Sequence, residues 1–273
     1  MIVGLVGAGN MAAALARGWS TGETGPDELV VSDIDAERAR ALADETGGRA
    51  VGSNRDLAEV ADVVVLATKP AALSRVAEEV RVTVSERGLP VVSILGATPL
   101  SAIEGVFGAG TPVLRFMPNV AAEVRAGTFC YAPGEALDER TERSLLDLFG
   151  LLGELVPVEE RLMDAATAIS GCGPAFFALV VESLVDAGVK EGLDARQAAR
   201  LAMATMGGTA QLMRKRSGDA VGLRRAVTSP GGVTAAGLAA LEGHGVRAAF
   251  GAAVEAVVRK AEAAQRESGG RST

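Results

Sequence analysis

The first residues of the chain that suggest chemistry form a glycine-rich turn, Gly7-Ala8-Gly9-Asn10-Met11-Ala12. The turn follows a short apolar run, Ile2–Val6, and precedes a helical pattern. In a strand, turn and helix of this kind, Gly7 permits a tight turn and Gly9 lets the backbone approach a pyrophosphate, which the N–H groups of the helix start then bind. Asp33 ends the next apolar run, at the distance expected of an acid that binds a ribose hydroxyl. The turn therefore predicts a dinucleotide site.

A second glycine-rich stretch, Ser229-Pro230-Gly231-Gly232-Val233-Thr234, lies in the C-terminal half. We predict Ser229 as the N-cap and Pro230 as the first residue of the helix that follows. Glycine in a helix interior lowers stability by about 1 kcal/mol relative to alanine. The presence of two glycines here is explained if a ligand has to approach bare backbone N–H groups. The stretch is thus a candidate carboxylate site, with Thr234 beside the anion. On spacing alone, an interhelical turn that uses its glycines for packing is an equally good interpretation.

Side chains that transfer protons are scarce. The single histidine, His244, lies between two glycines and is typical of a turn residue, and the single tyrosine, Tyr131, lies in a predicted strand. Oxidation of an alcohol with a nicotinamide needs a base, most often His, Lys or Tyr. Reduction of an imine needs less, because a protonated C=N is already electrophilic, so a site need only position the ring and exclude water. The composition therefore favours an imine as substrate.

Length and charge limit the classes of function. The chain has 273 residues, of which 48% are hydrophobic, and a formal charge of −7. This charge argues against nucleic acid or an anionic membrane as the main partner and favours a small molecule. The longest apolar stretch, 173–189, contains Glu182 and Asp186, and no secretory leader is evident, so we expect a cytoplasmic protein without a membrane span. Cys130 and Cys172 have neither zinc nor disulfide spacing, so no metal site is predicted.

The two halves of the chain differ in pattern. Strand-like and helix-like segments alternate as far as Pro157, which predicts βαβ units, a parallel sheet and ligands beyond the carboxyl ends of its strands. Beyond it every pattern is helical and apolar on several sides, as in helices that are covered on more than one face. We predict an α/β Rossmann-type dinucleotide-binding domain over residues 1–157. An all-helical domain over residues 158–273 should bind substrate and form a homodimer, although it could instead simply cover the first domain.

The chain resembles the pyrroline-5-carboxylate reductase family, and the resemblance covers nearly its whole length. The motifs that carry it are Ser229-Pro230-Gly231-Gly232-Val233-Thr234, Ser170-Gly171-Cys172-Gly173-Pro174-Ala175-Phe176 and Gly245-Val246-Arg247-Ala248-Ala249, with Gly7–Ala12, Ala67-Thr68-Lys69-Pro70 and Met117-Pro118-Asn119. The resemblance implies NAD(P)H-dependent reduction of the cyclic imine L-1-pyrroline-5-carboxylate to L-proline, the last step of proline biosynthesis. It also implies a homodimer through the helical domain, with higher assembly in many members.

The resemblance further implies roles for single residues. The substrate carboxylate would be held by Ser229, Gly231, Gly232 and Val233. The catalytic residue would be Thr234, whose hydroxyl would hydrogen-bond the ring nitrogen and supply or hold its proton. Glu160 would approach the substrate amine, where a carboxylate favours the iminium; an exposed acid is the alternative interpretation. The cofactor-binding residues would be Val6, Gly7, Ala8, Gly9, Asn10, Met11, Asp33, Asn54, Ala67, Thr68, Lys69, Pro70, Ile94, Leu95 and Gly96.

Several positions depart from the family pattern. Val120-Ala121-Ala122 stands where Thr-Pro-Ala is usual, Ala226 where an asparagine commonly touches the cofactor, and Cys172 where serine is commoner. Asp33 would accept a hydrogen bond from a ribose 2′-hydroxyl and repel a 2′-phosphate, so between NADH and NADPH we favour NADH. Arg38 and Arg40, close by in the sequence, weaken this preference.

Three other functions stay open on the sequence. One is reduction of a different cyclic imine. The second is a β-hydroxyacid dehydrogenase-like activity, for which Lys190 would be the acid or base, although the asparagine pattern that should follow such a lysine is absent. The third is a non-catalytic paralogue that binds nucleotide, for which the departures above are the only motive.

Overall fold

A computed structural model describes residues 1–269 of the chain. Strands and helices alternate through the first part. The strands are β1 (Ile2–Val6), β2 (Glu28–Ser32), β3 (Arg49–Ala50), β4 (Val63–Leu66), β5 (Val91–Ser93), β6 (Val113–Met117), β7 (Gly127–Pro133) and β8 (Gly153–Pro157). The helices among them are α1 (Asn10–Ser20), α2 (Ala36–Thr46), α3 (Asn54–Val60), α4 (Leu73–Arg87), α5 (Leu100–Phe107) and α6 (Glu139–Gly150). Short 3-10 turns span Pro70–Ala72, Val120–Val124 and Glu160–Leu162.

The rest of the described chain is helical, as predicted. Its helices are α7 (Met163–Ser170), α8 (Gly173–Lys190), α9 (Ala195–Lys215), α10 (Ala220–Ala226), α11 (Val233–Gly243) and α12 (Val246–Gly269). By length and composition, one described helical stretch, Glu160–Lys190, is apolar enough to cross a membrane. A turn at residues 171–172, between α7 and α8, divides this stretch.

The strands form one sheet in the order β3-β2-β1-β4-β5-β6-β7-β8. The strands from β1 to β6 are parallel, which confirms the Rossmann-type prediction, whereas β7 is antiparallel to β6 and parallel to β8. The predicted parallel arrangement is therefore confirmed for β1 to β6, whereas β7 and β8 run antiparallel to these strands. Only the 3-10 turn joins β6 to β7, too short a connection for a parallel crossover, whereas α6 provides the crossover to β8.

Apolar layers cover both faces of the sheet. One contains an aromatic cluster in which Phe116 and Phe149 stack at 4.5 Å between ring centroids and Trp19 meets Phe149 edge-on at 5.2 Å. The other contains Leu57, Ile103 and other buried aliphatic side chains from α3, α4 and α5. The strands are thus buried on both sides, and their carboxyl ends carry the loops that can meet a ligand.

The described chain divides into two compact units. The first is Met1–Pro174 together with the C-terminal part of the chain that begins at Ala256, and the second is Ala175–Glu255. α7 packs on β7, and Gln265 Nε2 donates to Asp164 Oδ2 at 2.8 Å, which explains why these helical segments belong to the first unit. The domain boundary after Pro157 stays a prediction.

The second unit has little core of its own. Among its described residues only Ala198 and Leu223 are fully buried. Large apolar side chains are exposed on its helices instead, among them Phe177, Leu179, Leu184, Leu201, Met203 and Phe250. A surface of this kind is typical of a protein interface.

Candidate functional site

A cleft of about 540 Å³ opens at the carboxyl ends of β1, β2 and β4. β1 lies between β2 and β4, so the strand order reverses here, which is where parallel α/β sheets bind their ligands. The predicted cofactor residues that line the cleft are Val6, Gly7, Gly9, Asn10, Met11, Asp33, Asn54, Ala67, Thr68 and Lys69. Ala8 lies next to them in the same turn, and Pro70 opens the following 3-10 turn. Ile94, Leu95 and Gly96 follow β5 at the same edge of the sheet but outside this cleft.

The two glycines of the turn have different reasons to be glycine. Gly7 has a φ of +106°, and a Cβ there would lie 2.7 Å from the carbonyl oxygen of Ala67. Gly9 has a φ of −77°, which any residue adopts, and the nearest atom to a Cβ would be Arg38 Nη2 at 3.9 Å. The fold therefore requires glycine at position 7, whereas position 9 is open to the approach of a ligand.

The N-terminus of α1 has no cap from the protein. Gly9 is its N-cap, no side chain accepts from its first turn, and no acidic residue lies there. The first helical bond runs from Ala13 N to Gly9 O, so the N–H groups of residues 10–12 have no acceptor among the described residues. By contrast, Asp35 caps α2 and Ser53 caps α3. Free N–H groups at a helix N-terminus and the helix dipole both favour an anion.

Asp33 is held against the glycine turn. Its Oδ2 accepts from Ala8 N at 2.7 Å, and its Oδ1 accepts from Asp35 N at 2.9 Å. Arg38 Nη2 donates to Ala8 O at 3.1 Å, so the residue at the centre of the turn contacts a carboxylate and a guanidinium. Each carboxylate oxygen retains capacity for another hydrogen bond, which a ribose hydroxyl could donate.

Asn54 lies in the same cleft with its amide already engaged. Its Oδ1 accepts from Ser32 Oγ at 2.6 Å, and its Nδ2 donates to Glu79 Oε2 at 2.5 Å. Only one amide hydrogen is left for a ligand.

The cleft also contains residues that the sequence analysis did not assign to it, namely Ser32, Ile34, Asp35, Arg38, Ala72, Arg75 and Val76. Ile34 is 83% exposed, an unusual position for an isoleucine outside a binding site. Three of these residues, Ala72, Arg75 and Val76, follow the loop after β4. Their spacing of i, i+3 and i+4 places them on one face of a helix, which could have identified them as lining the cleft.

The second glycine stretch differs from its prediction. α11 begins at Val233 with Gly232 as its N-cap, so the assignment of Ser229 as N-cap and Pro230 as first helical residue is wrong. Gly231 has a φ of +69°, which lies outside the right-handed helical region, so the helix cannot begin before it. Gly232 N donates to Ser229 O at 3.1 Å and closes a turn, and a Cβ on Gly232 would collide with the Ser229 hydroxyl.

The start of α11 is as bare as the start of α1. Gly232 has a φ of −78° and a ψ of 171°, with no side-chain cap, and Ala236 N makes the first helical bond to its oxygen at 3.2 Å. Among the described residues, no acceptor lies on the N–H groups of residues 233–235. Val233 is 92% exposed, and Thr234 is exposed beside it. The stretch thus presents N–H groups, a hydroxyl and an apolar side chain together, which suits a small apolar ring that carries a carboxylate.

Glu160 is not an exposed acid, so that alternative is wrong. Its Oε1 accepts from Arg115 Nη1 and from Leu100 N, the latter at 3.0 Å. The Arg115 side chain is only 2% exposed, against 32% for that of Glu160. The contact of Glu160 with a substrate amine stays a prediction.

The other candidates have ordinary structural places. His244 is the exposed C-cap of α11, and Lys190 is the exposed last residue of α8. Among the described residues, no group of three His, Cys, Asp or Glu side chains could hold a metal ion.

Comparisons with known proteins agree along the chain. Residues 160–264 match the family model described as pyrroline-5-carboxylate reductase dimerisation, and residues 2–96 match one described as NADP oxidoreductase, coenzyme F420-dependent. The pyrroline-5-carboxylate reductase of Methanosarcina acetivorans is 36% identical over 95% of this chain and 95% of that protein. The crystal structure of Plasmodium falciparum pyrroline carboxylate reductase with NADP bound has a TM-score of 0.88 at 30% identity, covering 97% of this chain and 98% of that one. A 3-hydroxyisobutyrate dehydrogenase of Mycobacterium tuberculosis, at 15% identity and a TM-score of 0.52 over 85% and 71% of the two chains, shares the fold alone.

The open space at Gly9 leads to a prediction. We expect Gly9→Ala to fold as stably as the wild type, because its Cβ meets no protein atom closer than 3.9 Å. Its Kd for a nicotinamide dinucleotide should rise at least about tenfold, or about 1.4 kcal/mol, because the methyl group keeps the pyrophosphate from the N–H groups. Nicotinamide fluorescence titration measures the Kd. Gly105→Ala, at another glycine with open space, is the control and should bind as the wild type does; unchanged binding by Gly9→Ala would contradict the site.

Proposed function

The chain belongs to the pyrroline-5-carboxylate reductase family and is an oxidoreductase that reduces L-1-pyrroline-5-carboxylate to L-proline with a nicotinamide cofactor; we propose how its residues share this work. The proposal depends on one observation. The two helices that follow the glycine stretches, α1 and α11, both begin at an uncapped glycine in the same extended conformation. We assign the cofactor pyrophosphate to the first of these helix starts and the substrate carboxylate to the second.

The first unit has a cleft that fits the cofactor. The space at Gly9 admits a pyrophosphate, and the turn 7–11 and the loop 67–70 border it. NAD(P)H, when bound, supplies the hydride. The strand order is β2-β1-β4-β5, with Asp33 after β2 and the loop 94–96 after β5. The ribose that Asp33 binds and this loop therefore lie on opposite sides of the glycine turn. We assign the loop to the nicotinamide half of the cofactor.

The second unit has the groups that a cyclic imine carboxylate needs. The free N–H groups at the start of α11, with the Ser229 hydroxyl beside Gly232, hold the carboxylate. The Thr234 hydroxyl hydrogen-bonds the ring nitrogen and keeps the proton on it, so that the C=N bond stays electrophilic. Val233 contacts the ring methylenes through its exposed side chain. No histidine or lysine has to act as an acid, because the imine nitrogen already carries its proton when the hydride arrives.

The end of β2 supports NADH as the preferred cofactor. Asp33 is fixed by two backbone N–H groups, so its carboxylate cannot swing away from the place where a ribose hydroxyl is expected. A 2′-phosphate there would face a negative charge at close range. Arg38, Lys69 and Arg75 border the same cleft and reduce this penalty without removing the charge of Asp33.

The helical region supports a homodimer. Residues 160–264 match a dimerisation model, and Phe177 and Leu184 place large exposed side chains seven residues apart on one face of α8. A second copy of the chain would cover this face. The apolar stretch Glu160–Lys190 does not require a membrane, because α7 packs on the sheet and α8 belongs to the dimerisation match.

The role of Thr234 is tested by removing its hydroxyl. We expect Thr234→Ala to lower the kcat for pyrroline-5-carboxylate by about 10²-fold, with the Kd for NADH unchanged. The rate of NADH oxidation and fluorescence titration measure the two quantities. Thr234→Ser is the matched control and should keep most of the activity, because it retains the hydroxyl. A Thr234→Ala variant at the wild-type rate, or a Thr234→Ser variant as slow as it, would contradict the assignment.

The cofactor preference is tested at Asp33. We expect the wild type to have the higher kcat/KM with NADH, and Asp33→Ser to shift the ratio about tenfold toward NADPH, or about 1.4 kcal/mol. Asp35→Ser is the matched control, since it removes an equal charge from the same cleft while serine can still cap α2. Equal shifts in both variants, or a wild type that prefers NADPH, would contradict a specific role of Asp33.

The interface is tested by a charge on α8. We expect the wild type to sediment as a dimer or a multiple of it, and Phe177→Asp to sediment as a monomer, because the new carboxylate would be buried without a partner. Val82→Asp is the control, since Val82 on α4 and Phe177 are both 59% exposed. Sedimentation velocity measures the outcome. A dimeric Phe177→Asp variant would exclude this face of α8 from the interface.

A further inference from the structure

The loop between β5 and α5, residues 94–99, is held in one conformation. Ala97 has a φ of +51°, which is unfavourable for alanine and persists only where the surroundings fix the backbone. Leu95 N donates to Ser93 Oγ at 3.3 Å, and Thr98 Oγ1 donates to Gly96 O at 3.1 Å. These two bonds are local, and Ile94 N donates to Leu66 O of β4 at 3.1 Å, so the start of the loop is also attached to the sheet.

A distant residue completes the far end of this loop. α5 begins at Leu100, and its N-cap, Pro99, has no side-chain acceptor. Glu160 takes that place, sixty residues along the chain, by accepting from Leu100 N at 3.0 Å. A carboxylate at a helix N-terminus is favourable because it complements the helix dipole.

Arg115 on β6 holds this carboxylate in place. It donates through Nη1 to the same Oε1 atom, and its side chain is almost wholly buried. Its Nε and Nη2 atoms, and Glu160 Oε2, are buried without a hydrogen-bond partner among the described protein atoms. A buried ion pair contributes little net stability, because its desolvation cost offsets its Coulomb energy, so stability alone does not explain the pair.

The segment that carries Glu160 is fixed at its other end as well. Asn119 Nδ2 donates to Ser170 O at 3.0 Å, and Ser170 Oγ lies 3.3 Å from Cys130 Sγ. α7 is thus attached to the sheet at Ser170 and, just before its first residue, at Glu160. Glu160 therefore cannot follow the loop if the loop moves, so it anchors the loop to the sheet.

We propose that Arg115 is a positioning residue for the reaction: it holds Glu160 on Leu100 N and so fixes the loop 94–99, which carries the nicotinamide half of the cofactor. This role rests on the proposed cofactor site. Arg115 touches neither cofactor nor substrate, and its effect passes through Glu160 and the start of α5. Glu160 then acts on the cofactor side, and not by direct contact with the substrate amine.

A pair of apolar substitutions separates this role from stability. Arg115→Met alone leaves the half-buried Glu160 carboxylate without its cation and should lower the Tm. Arg115→Met combined with Glu160→Met removes both charges and should keep a Tm close to that of the wild type. Both variants should lose about ten- to hundredfold in kcat/KM for NADH, because the loop loses its anchor. The KM for pyrroline-5-carboxylate should stay within about twofold of the wild type in both.

Two further variants complete the test. Arg115→Lys should stay within about threefold of the wild type, because the contact with Glu160 uses a single nitrogen that an ammonium can replace. Trp19→Phe removes the indole hydrogen bond to Leu148 O in the other apolar layer; it should lower the Tm without changing the cofactor kinetics. The Kd for NADH, measured by nicotinamide fluorescence, reports the effect of the loop on cofactor binding without depending on turnover. It should rise in both Met variants.

The outcomes distinguish the inference from the function on which it rests. If the double Met variant keeps both the wild-type Kd and the wild-type kcat/KM for NADH, Arg115 is not a positioning residue. If its KM for pyrroline-5-carboxylate rises while the cofactor parameters stay unchanged, Glu160 contacts the substrate directly and the inference is overturned. A wild type that binds NADH but does not reduce pyrroline-5-carboxylate would contradict the proposed function, and the NADH Kd of the variants would still decide the role of Arg115.

Discussion

The constraint on which this protein depends is the unpaired backbone N–H group at the start of a helix. Five of the twelve helices in the described chain have a side-chain N-cap, namely Asp35, Ser53, Asp138, Asp194 and Asp219 for α2, α3, α6, α9 and α10. α4 and α7 have no side-chain cap and continue directly from 3-10 turns. α5 is closed from a distance by Glu160. α1 and α11 begin at glycine, with no side chain on their first turn and with nearly equal backbone angles, −77° and 179° against −78° and 171°. We propose that an anion completes these two helix starts.

This way of binding suits the reaction. Imine reduction needs a fixed geometry between the ring and the nicotinamide and little proton transfer, which agrees with a chain that has one histidine, exposed at a helix end. Backbone N–H groups bind anions without adding a cation, so a chain of net charge −7 can hold a pyrophosphate and a carboxylate at separate places. The two N-cap glycines differ, because the space at Gly9 is open to a ligand whereas a Cβ on Gly232 would collide with the Ser229 hydroxyl.

Local signals carried most of what could be predicted. The alternation of apolar runs and helical patterns predicted the sheet, and Gly7, Gly9 and Asp33 predicted the switch-point cleft, because each depends on residues close in sequence. The predicted start of α11 is too early. Serine is a common N-cap, but Gly231 has a left-handed backbone conformation, so the helix can begin only after it. The reversal of β7 was missed because it depends on the length of a connection and not on the pattern of the strand itself. The pairing of Arg115 with Glu160 had no local signal at all, since it joins β6 to a segment 45 residues away.

We propose that bare helix starts, and not cationic side chains, hold both anions in this protein. A crystal structure of the protein with oxidised cofactor and proline tests it most directly. We expect pyrophosphate oxygens within hydrogen-bond distance of the N–H groups of residues 10–12 and the proline carboxylate on those of residues 233–235, with the ring nitrogen on Thr234. A proline carboxylate bound by arginine side chains such as Arg224 or Arg225, with the start of α11 left free, would contradict it.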